Sequence, residues 1–466
     1  MCELDPSLGL TRLGSIVRGM LRALRFPPAP GVRALTAAAV AALLLAPGPG
    51  AGPARAQGVE APAVRTLPPR GPAGPAGTEA APSASASGLP VSATGVATLP
   101  DAWLLGSGQP WHHRVPARPD APALAARAPT AEEAALISRL EALVPRIDAR
   151  VVVLVDAGRV VDALGTGGIG WDTRLLSASM AKTLTALAVG QAVCAGKLSL
   201  DTRADALLPA LAGKALGQAT LRDLLRMASG TTDPPPGDVL GTTAAESRLH
   251  LEGAGNLELL VASPSQSGAQ AGAQGPVRPG ERFSYKARDP YTVALMLERA
   301  VGMPAVRWVD EQLLAALPNQ HLAILGTDRA GHFAGANGSV RLSLADWVRL
   351  ALHVQSRRGG EDCYGRFLRE LSGTQIPAPL QPGVNGYFNG YGYFTWTDNR
   401  MAPGTFWAAG YGGQRIGWST DPANRRIFLM FGNAADRHMQ HVYPLAQAWI
   451  GMGAKDGSDR KDRLTP

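Results

Sequence analysis

The chain has 466 residues, 45% of them hydrophobic, which is enough to bury a substantial core. Its formal net charge is +8, but residues 1–56 hold six arginines against Glu3 and Asp5, so half of that charge lies in the first segment. The remainder carries no long Lys/Arg run interleaved with aromatics, which argues against nucleic acid as a partner and for a solvated surface.

Arginines at 12, 18, 22, 25 and 33 precede an apolar run from Ala34 to Ala46, and Ala54-Arg55-Ala56 forms a small-x-small cleavage site. This pattern predicts a secretory signal peptide over 1–56 and a periplasmic or secreted product. The apolar run is short for a bilayer span, which disfavours a permanent anchor. Met20 is an alternative start. Residues 57–99 are dominated by Ala, Pro, Gly, Ser and Thr, and such a composition predicts a disordered tether. A folded domain is expected over 100–452, opened by Trp103, Leu104, Leu105 and Trp111, with a charged tail over 453–466.

Thr130 followed by Glu133 reads as a capping pair for a helix running to Leu143. Val151–Val155, the turn Asp156-Ala157-Gly158 and Arg159–Val161 read as a strand hairpin. A helix is expected from Ser179 through Val189. Beyond it lies a helix-rich middle with a Ser/Gly/Gln/Ala insertion near 263–275. Phe406–Gly410, Gln414–Ser419 and Ile427–Phe431 read as three more strands, and Met439–Met452 as a helix. Strands at both ends around a helical middle imply an α+β fold: one antiparallel sheet from both chain ends, flanked by helices, with an inserted helical subdomain. Cys2 would leave with the signal peptide. Cys194 and Cys363 could pair in an exported protein, but the apolar helical setting of Cys194 favours a buried free thiol.

Chemistry concentrates at Ser179-Met180-Ala181-Lys182. Residues three apart lie on one helix face, so a serine at a helix start can present its hydroxyl to the amine of a lysine at i+3. The ordinary alternatives are a helix-capping serine and a solvated lysine. The tetrapeptide is weak by itself, since Ser458-Asp459-Arg460-Lys461 repeats the spacing in the charged tail. Gly165-Thr166-Gly167-Gly168-Ile169-Gly170 lacks the lysine of a phosphate loop and reads as a turn. His112, His113, His438 and His441 form no metal-ligand spacing, so no metal or other cofactor is expected. No Gly-x-Ser-x-Gly elbow occurs, which disfavours a Ser-His-Asp hydrolase.

The stretch Leu175-Leu176-Ser177-Ala178-Ser179-Met180-Ala181-Lys182-Thr183-Leu184, continued by Gly196-Lys197-Leu198-Ser199-Leu200-Asp201, resembles the serine beta-lactamase-like superfamily, most of all its class C, esterase and nylon-oligomer hydrolase branch. Thr220-Leu221-Arg222-Asp223-Leu224-Leu225-Arg226-Met227-Ala228-Ser229-Gly230, Pro279-Gly280-Glu281-Arg282-Phe283-Ser284-Tyr285 and Ala409-Gly410-Tyr411-Gly412-Gly413-Gln414 follow in the family's order. The resemblance implies a beta-lactamase/transpeptidase-like fold, with Ser179 as nucleophile, Lys182 as base and Tyr285 relaying protons to the leaving group. It further implies an oxyanion hole from the backbone N–H groups of Ser179 and Tyr411, with Ala408, Gly410 and Gly412 along the substrate.

Two motifs depart from the family. Its Tyr-x-Asn ends here in Ala287, although Arg288 and Asp289 follow and could substitute, and Tyr291 is a rival tyrosine. Its Lys-Thr-Gly or His-x-Gly reads Ala408-Ala409-Gly410, which keeps the glycine and loses the basic side chain. Neutral esters or amides are therefore expected as substrates in preference to beta-lactams, unless Lys286 or Arg415 supplies a charge from another direction. Beta-lactamase or D,D-peptidase activity, or a non-catalytic peptidoglycan- or ligand-binding relative, are the alternatives. The expected partner is a small molecule, with cell-wall or membrane proximity open. The aromatics Tyr387, Phe388, Tyr391, Tyr393, Phe394 and Trp396 read first as packing and second as the wall of an acyl pocket.

Overall fold

A computed structural model describes residues 60–68, 110–118, 120–231, 255–262, 277–380, 385–433 and 438–461, together with positions 105 and 249, with side chains to residue 453. The expected signal peptide, most of the expected tether and the 263–275 insertion lie outside the described residues.

Thirteen strands are present among the described residues: β1 Arg65–Thr66, β2 His112–Val115, β3 Ala149–Asp156, β4 Arg159–Gly165, β5 Arg174–Leu176, β6 Ala323–Gly326 and β7 Val340–Ser343 in the first part. The second part holds β8 Ile376–Pro377, β9 Phe388–Tyr391, β10 Trp396–Asn399, β11 Ala402–Gly410, β12 Gln414–Ser419 and β13 Arg426–Gly432. Nine form one sheet in the order β1-β4-β3-β13-β12-β11-β10-β9-β8. Antiparallel pairing of β13 with β3 joins the two chain ends, as in Phe428 opposite Leu154. That junction produces the α+β architecture expected from the strand pattern. β3 and β13 are buried almost throughout, so they read as continuous apolar runs rather than alternating ones.

The β3–β4 hairpin turns at Ala157 and Gly158, both at positive φ, and the helix Ala131–Leu143 begins with the capping box Thr130/Glu133. Glu133 does more than cap. Its carboxylate, 1% exposed, accepts from Arg127 at 2.6 and 2.7 Å and from the Thr130 N–H at 2.8 Å, and pairs with Arg426 of β13 at 2.8 Å. Burial pushes its pKa up, but the Arg127 and Thr130 hydrogen bonds and the Arg426 charge outweigh that and hold it at about 2. The carboxylate's contribution is thus present above the ordinary glutamate range and is lost as pH falls toward 2. Glu133→Ala should destabilise the fold by about 3–5 kcal/mol, because it removes the nearer carboxylate from the buried Arg426 and leaves Asp156 at 3.9 Å. Urea unfolding at pH 7 measures this, and a loss below about 1 kcal/mol would reduce the cluster to a surface feature.

Three expectations need correction. Residues 60–68 are not tether: β1 adds in parallel to β4, Ala61 N–H reaches Leu124 O, and Arg65 pairs with Asp162 and Glu141. Composition missed this because an open sheet edge is satisfied by backbone groups and ion pairs, without large apolar side chains. The last helix runs from Met439 to Lys461, past Met452 into the expected tail. Cys194 is not a free thiol but is bonded to Cys363. The helix Met180–Cys194 has Gly190 where a Cβ would come within 2.5 Å of the Phe367 ring, so the helix Cys363–Ser372 approaches closely and brings Cys363 to Cys194 from 169 residues away. Apolar surroundings of one cysteine carry no information about so distant a partner.

A second sheet, β2-β6-β7-β5, was not legible in the sequence. Its edge strand β5 leads directly into Ser179. No helix of the described residues is long and apolar enough to cross a membrane.

Candidate active site

The approach to Ser179 is pinned before the helix starts. β5 pairs with β7, the Ser177 hydroxyl donates to Gly338 O at 3.1 Å, and Val340 N–H donates to Ser177 Oγ at 3.2 Å. Ala178 then adopts φ +42, a left-handed conformation uncommon for a residue with a Cβ, at the turn from β5 into the helix. The first turn of the helix carries i→i+3 bonds, Lys182 N–H to Ser179 O at 3.1 Å among them. In such a tight turn residues i and i+3 nearly eclipse, which stacks the two side chains.

The consequence is a direct contact: Lys182 Nζ donates to Ser179 Oγ at 2.8 Å. Ser179 occupies the helix-capping position yet makes no side-chain cap bond, so its hydroxyl is turned to the lysine and away from the helix backbone. Lys182 is 2% exposed and lies in a helix buried nearly throughout. Burial alone drives its amine well below the ordinary lysine range, toward the neutral form a base requires. Its second hydrogen bond goes to the backbone O of Asn337 at 2.9 Å, which fixes the amine between hydroxyl and carbonyl. No sequence signal marks Asn337, because any residue there offers a carbonyl.

Tyr285 joins this pair. Its ring lies with its centroid 4.9 Å from Lys182 Nζ and stacks on Trp396 at 5.3 Å, while Tyr391 meets it edge-on at 6.3 Å. Phe283 and Phe388 complete the aromatic cluster around Trp396. The 387–396 aromatics are therefore mostly packing, as first read, and their packing holds Tyr285 in place. The rival, Tyr291, is fully buried, with Asn337 Nδ2 donating to its hydroxyl at 3.5 Å. Asp289, which follows the position of the missing asparagine, is engaged with Ser229 and Lys286. Its carboxylate is fully buried and accepts from Ser229 Oγ at 2.6 Å, with Lys286 Nζ at 3.5 Å; burial raises its pKa despite the Lys286 charge. Lys286 also donates to Ser284 O at 2.8 Å and is 4% exposed.

β11 closes the site from the other side. A Cβ on Gly410 would lie 2.5 Å from Ser177 O, 2.9 Å from Ala178 Cβ and 3.1 Å from Ser179 N, so only glycine lets this strand end reach the helix start. Ala408 is buried two residues earlier on the same strand face, and Gly412 shapes the following turn with φ +86. Arg415 faces inward: it is 2% exposed, with Nε donating to Tyr443 Oη at 2.9 Å. Among the described residues no group of three or more His, Cys, Asp and Glu is arranged to hold a metal, and His113 pairs with Asp310.

A family model described as Beta-lactamase matches residues 136–449. Among solved structures, the chain is similar to a Bacillus anthracis protein assigned as a 6-aminohexanoate-dimer hydrolase, with 16% identity, TM-score 0.57, and coverage of 77% of this chain and 92% of that one. It is also similar to EstCE1, a hydrolase with promiscuous acyltransferase activity (14% identity, TM-score 0.51, coverage 68% and 98%). A class C beta-lactamase is similar at 13% identity, with TM-score 0.50 and coverage 69% and 96%. At these identities the structural likeness concerns the fold. A comparison with curated proteins finds no match.

Proposed function

The chain belongs to the beta-lactamase family and is a serine hydrolase, and from that premise we propose that it is an exported enzyme cleaving neutral esters or amides through an acyl-enzyme on Ser179. The observation that carries this reading is the 2.8 Å contact between Ser179 Oγ and a buried Lys182 amine. Lys182 takes the Ser179 proton as Oγ attacks the carbonyl carbon. The oxyanion that forms is held by the N–H groups of Ser179 and Tyr411, which lie on the two segments that meet at Gly410. Tyr285 passes a proton to the leaving group, and water then hydrolyses the acyl-enzyme. Ala408, Gly410 and Gly412 line the substrate along the strand end and its turn.

The substrate class rests on charge. A cation binding a substrate carboxylate contributes about 1.5–3 kcal/mol, or roughly one to two powers of ten in specificity. Ala408 supplies none, and the inward engagement of Lys286 and Arg415 supports the same reading. A short-chain nitrophenyl ester should therefore have a higher kcat/KM than benzylpenicillin or nitrocefin, and a clear preference for either lactam would overturn the assignment.

Export is supported by the basic leader and by the Cys194–Cys363 bond, which suits an oxidising compartment. N-terminal sequencing of the protein recovered outside the cytoplasm should begin near Gln57. Residue 1 retained in that product would refute the export reading.

A further inference from the structure

The turn that follows β11 is braced from beneath by a buried cation. Arg415, paired with Ala409 across the β11–β12 ladder, donates from Nη1 to Gly410 O at 2.5 Å and to Gln414 O at 2.9 Å. Its Nε is held by Tyr443 Oη at 2.9 Å. Tyr443 is fully buried on the last helix, its ring edge-on to Trp407 at 5.0 Å, Tyr387 at 5.2 Å and Phe388 at 5.7 Å. A guanidinium so anchored has one orientation, with little freedom to follow a moving partner.

The carbonyl it contacts matters because Gly410 O and Tyr411 N–H belong to the same peptide unit. In a trans peptide the C=O and N–H point in opposite directions across a rigid plane, and no cis bond occurs among the described residues. Fixing the carbonyl on Arg415 therefore fixes the direction of the N–H, away from Arg415. Drawing electron density toward the carbonyl oxygen also makes the N–H a stronger donor, the polarisation expected along a hydrogen-bonded chain. Charge-assisted contacts of this kind are about twice as strong as neutral ones.

We propose that Arg415 is a positioning residue for the oxyanion hole, acting through the Gly410–Tyr411 peptide, with Tyr443 holding its guanidinium in place. The proposal rests on the reading of Tyr411 N–H as an oxyanion donor. It assigns work to a buried cation that contacts neither the substrate nor the reacting atoms, and it couples the last helix to the chemistry.

The test compares Arg415→Met, Arg415→Lys and Tyr443→Phe with the full-length protein, measuring kcat and KM for a nitrophenyl ester and the inhibition constant of phenylboronic acid. The boronate adds to a serine Oγ as a tetrahedral anion and so reports on oxyanion stabilisation. Removing a whole oxyanion donor costs about 10²–10³ in kcat, so loss of its brace should cost about 10–100-fold in Arg415→Met, with boronate affinity falling in parallel and KM nearly unchanged. Arg415→Lys should recover part of both losses, and Tyr443→Phe, which keeps the ring, should lose a few-fold in both. Should Arg415→Met fail to fold, Tyr443→Phe decides by the same two readouts. Kinetics and boronate affinity at wild-type values, or activity falling without any change in boronate affinity, would overturn the proposal. Wild-type protein inert to both ester and boronate would instead remove the hydrolytic reading on which it stands.

Discussion

Ser179→Ala is expected to abolish ester turnover, lowering kcat by about four to six powers of ten, while the protein still folds. The size follows from the role: without Oγ no acyl-enzyme forms, and what remains is the small advantage of binding and oxyanion stabilisation over water. The fold should survive because the Ser179 hydroxyl makes no capping bond, so alanine removes nothing that the helix start depends on. Steady-state kinetics, labelling by a fluorophosphonate and thermal unfolding together check this. Turnover or labelling that persists in the alanine variant would move the nucleophile elsewhere.

Lys182→Ala should lose activity on a similar scale, and the double variant should add little. The two side chains serve one proton transfer, so deleting either disables the same step and the free-energy losses do not sum. Losses that did sum would break the coupled assignment. Lys182→Arg should be equally inactive, since a guanidinium cannot release its proton to become a base. The pH dependence has a definite sign. Activity requires the neutral amine, so kcat/KM rises with pH through the Lys182 pKa, which burial places well below 10.5. Stability moves in the same direction: below 10.5 the unfolded chain holds a proton that the folded site releases, so folding is penalised increasingly as pH falls toward the folded pKa. Lys182→Met removes that penalty and should raise Tm at pH 7 relative to the parent while eliminating turnover. A Tm that drops instead would mean that the lysine stabilises the fold as an ordinary paired cation.

Local rules were enough for much of the fold. The Thr130/Glu133 box, the Asp156–Gly158 turn, the apolar runs of β3 and β13 and the strand Gln414–Ser419 each depend on a few consecutive residues, and all appear where the pattern puts them. The proximity of Ser179 and Lys182 belongs to the same class, because residues i and i+3 of one tight helical turn share a face, although Asn337 O and the pinned approach through Ser177 fix the contact itself. What the sequence by itself determined, then, is that strands from both chain ends share one sheet and that a serine and a lysine lie one turn apart at the start of a buried helix.

The rest was decided in three dimensions. β1 needed an open edge on β4 to pair with, and Cys363 needed the close helix crossing at Gly190 to reach Cys194. The state of Lys182 depends on how completely other segments cover it, and its anchoring carbonyl at Asn337 lies 155 residues away. Arg415 reads in sequence as a charge that could reach a substrate; only the fold shows it buried against Gly410 O and Tyr443. The physical reason is common to all of these: backbone carbonyls, sheet edges and desolvation are properties of position in the fold, not of residue type, so they leave no trace in the order of side chains along the chain.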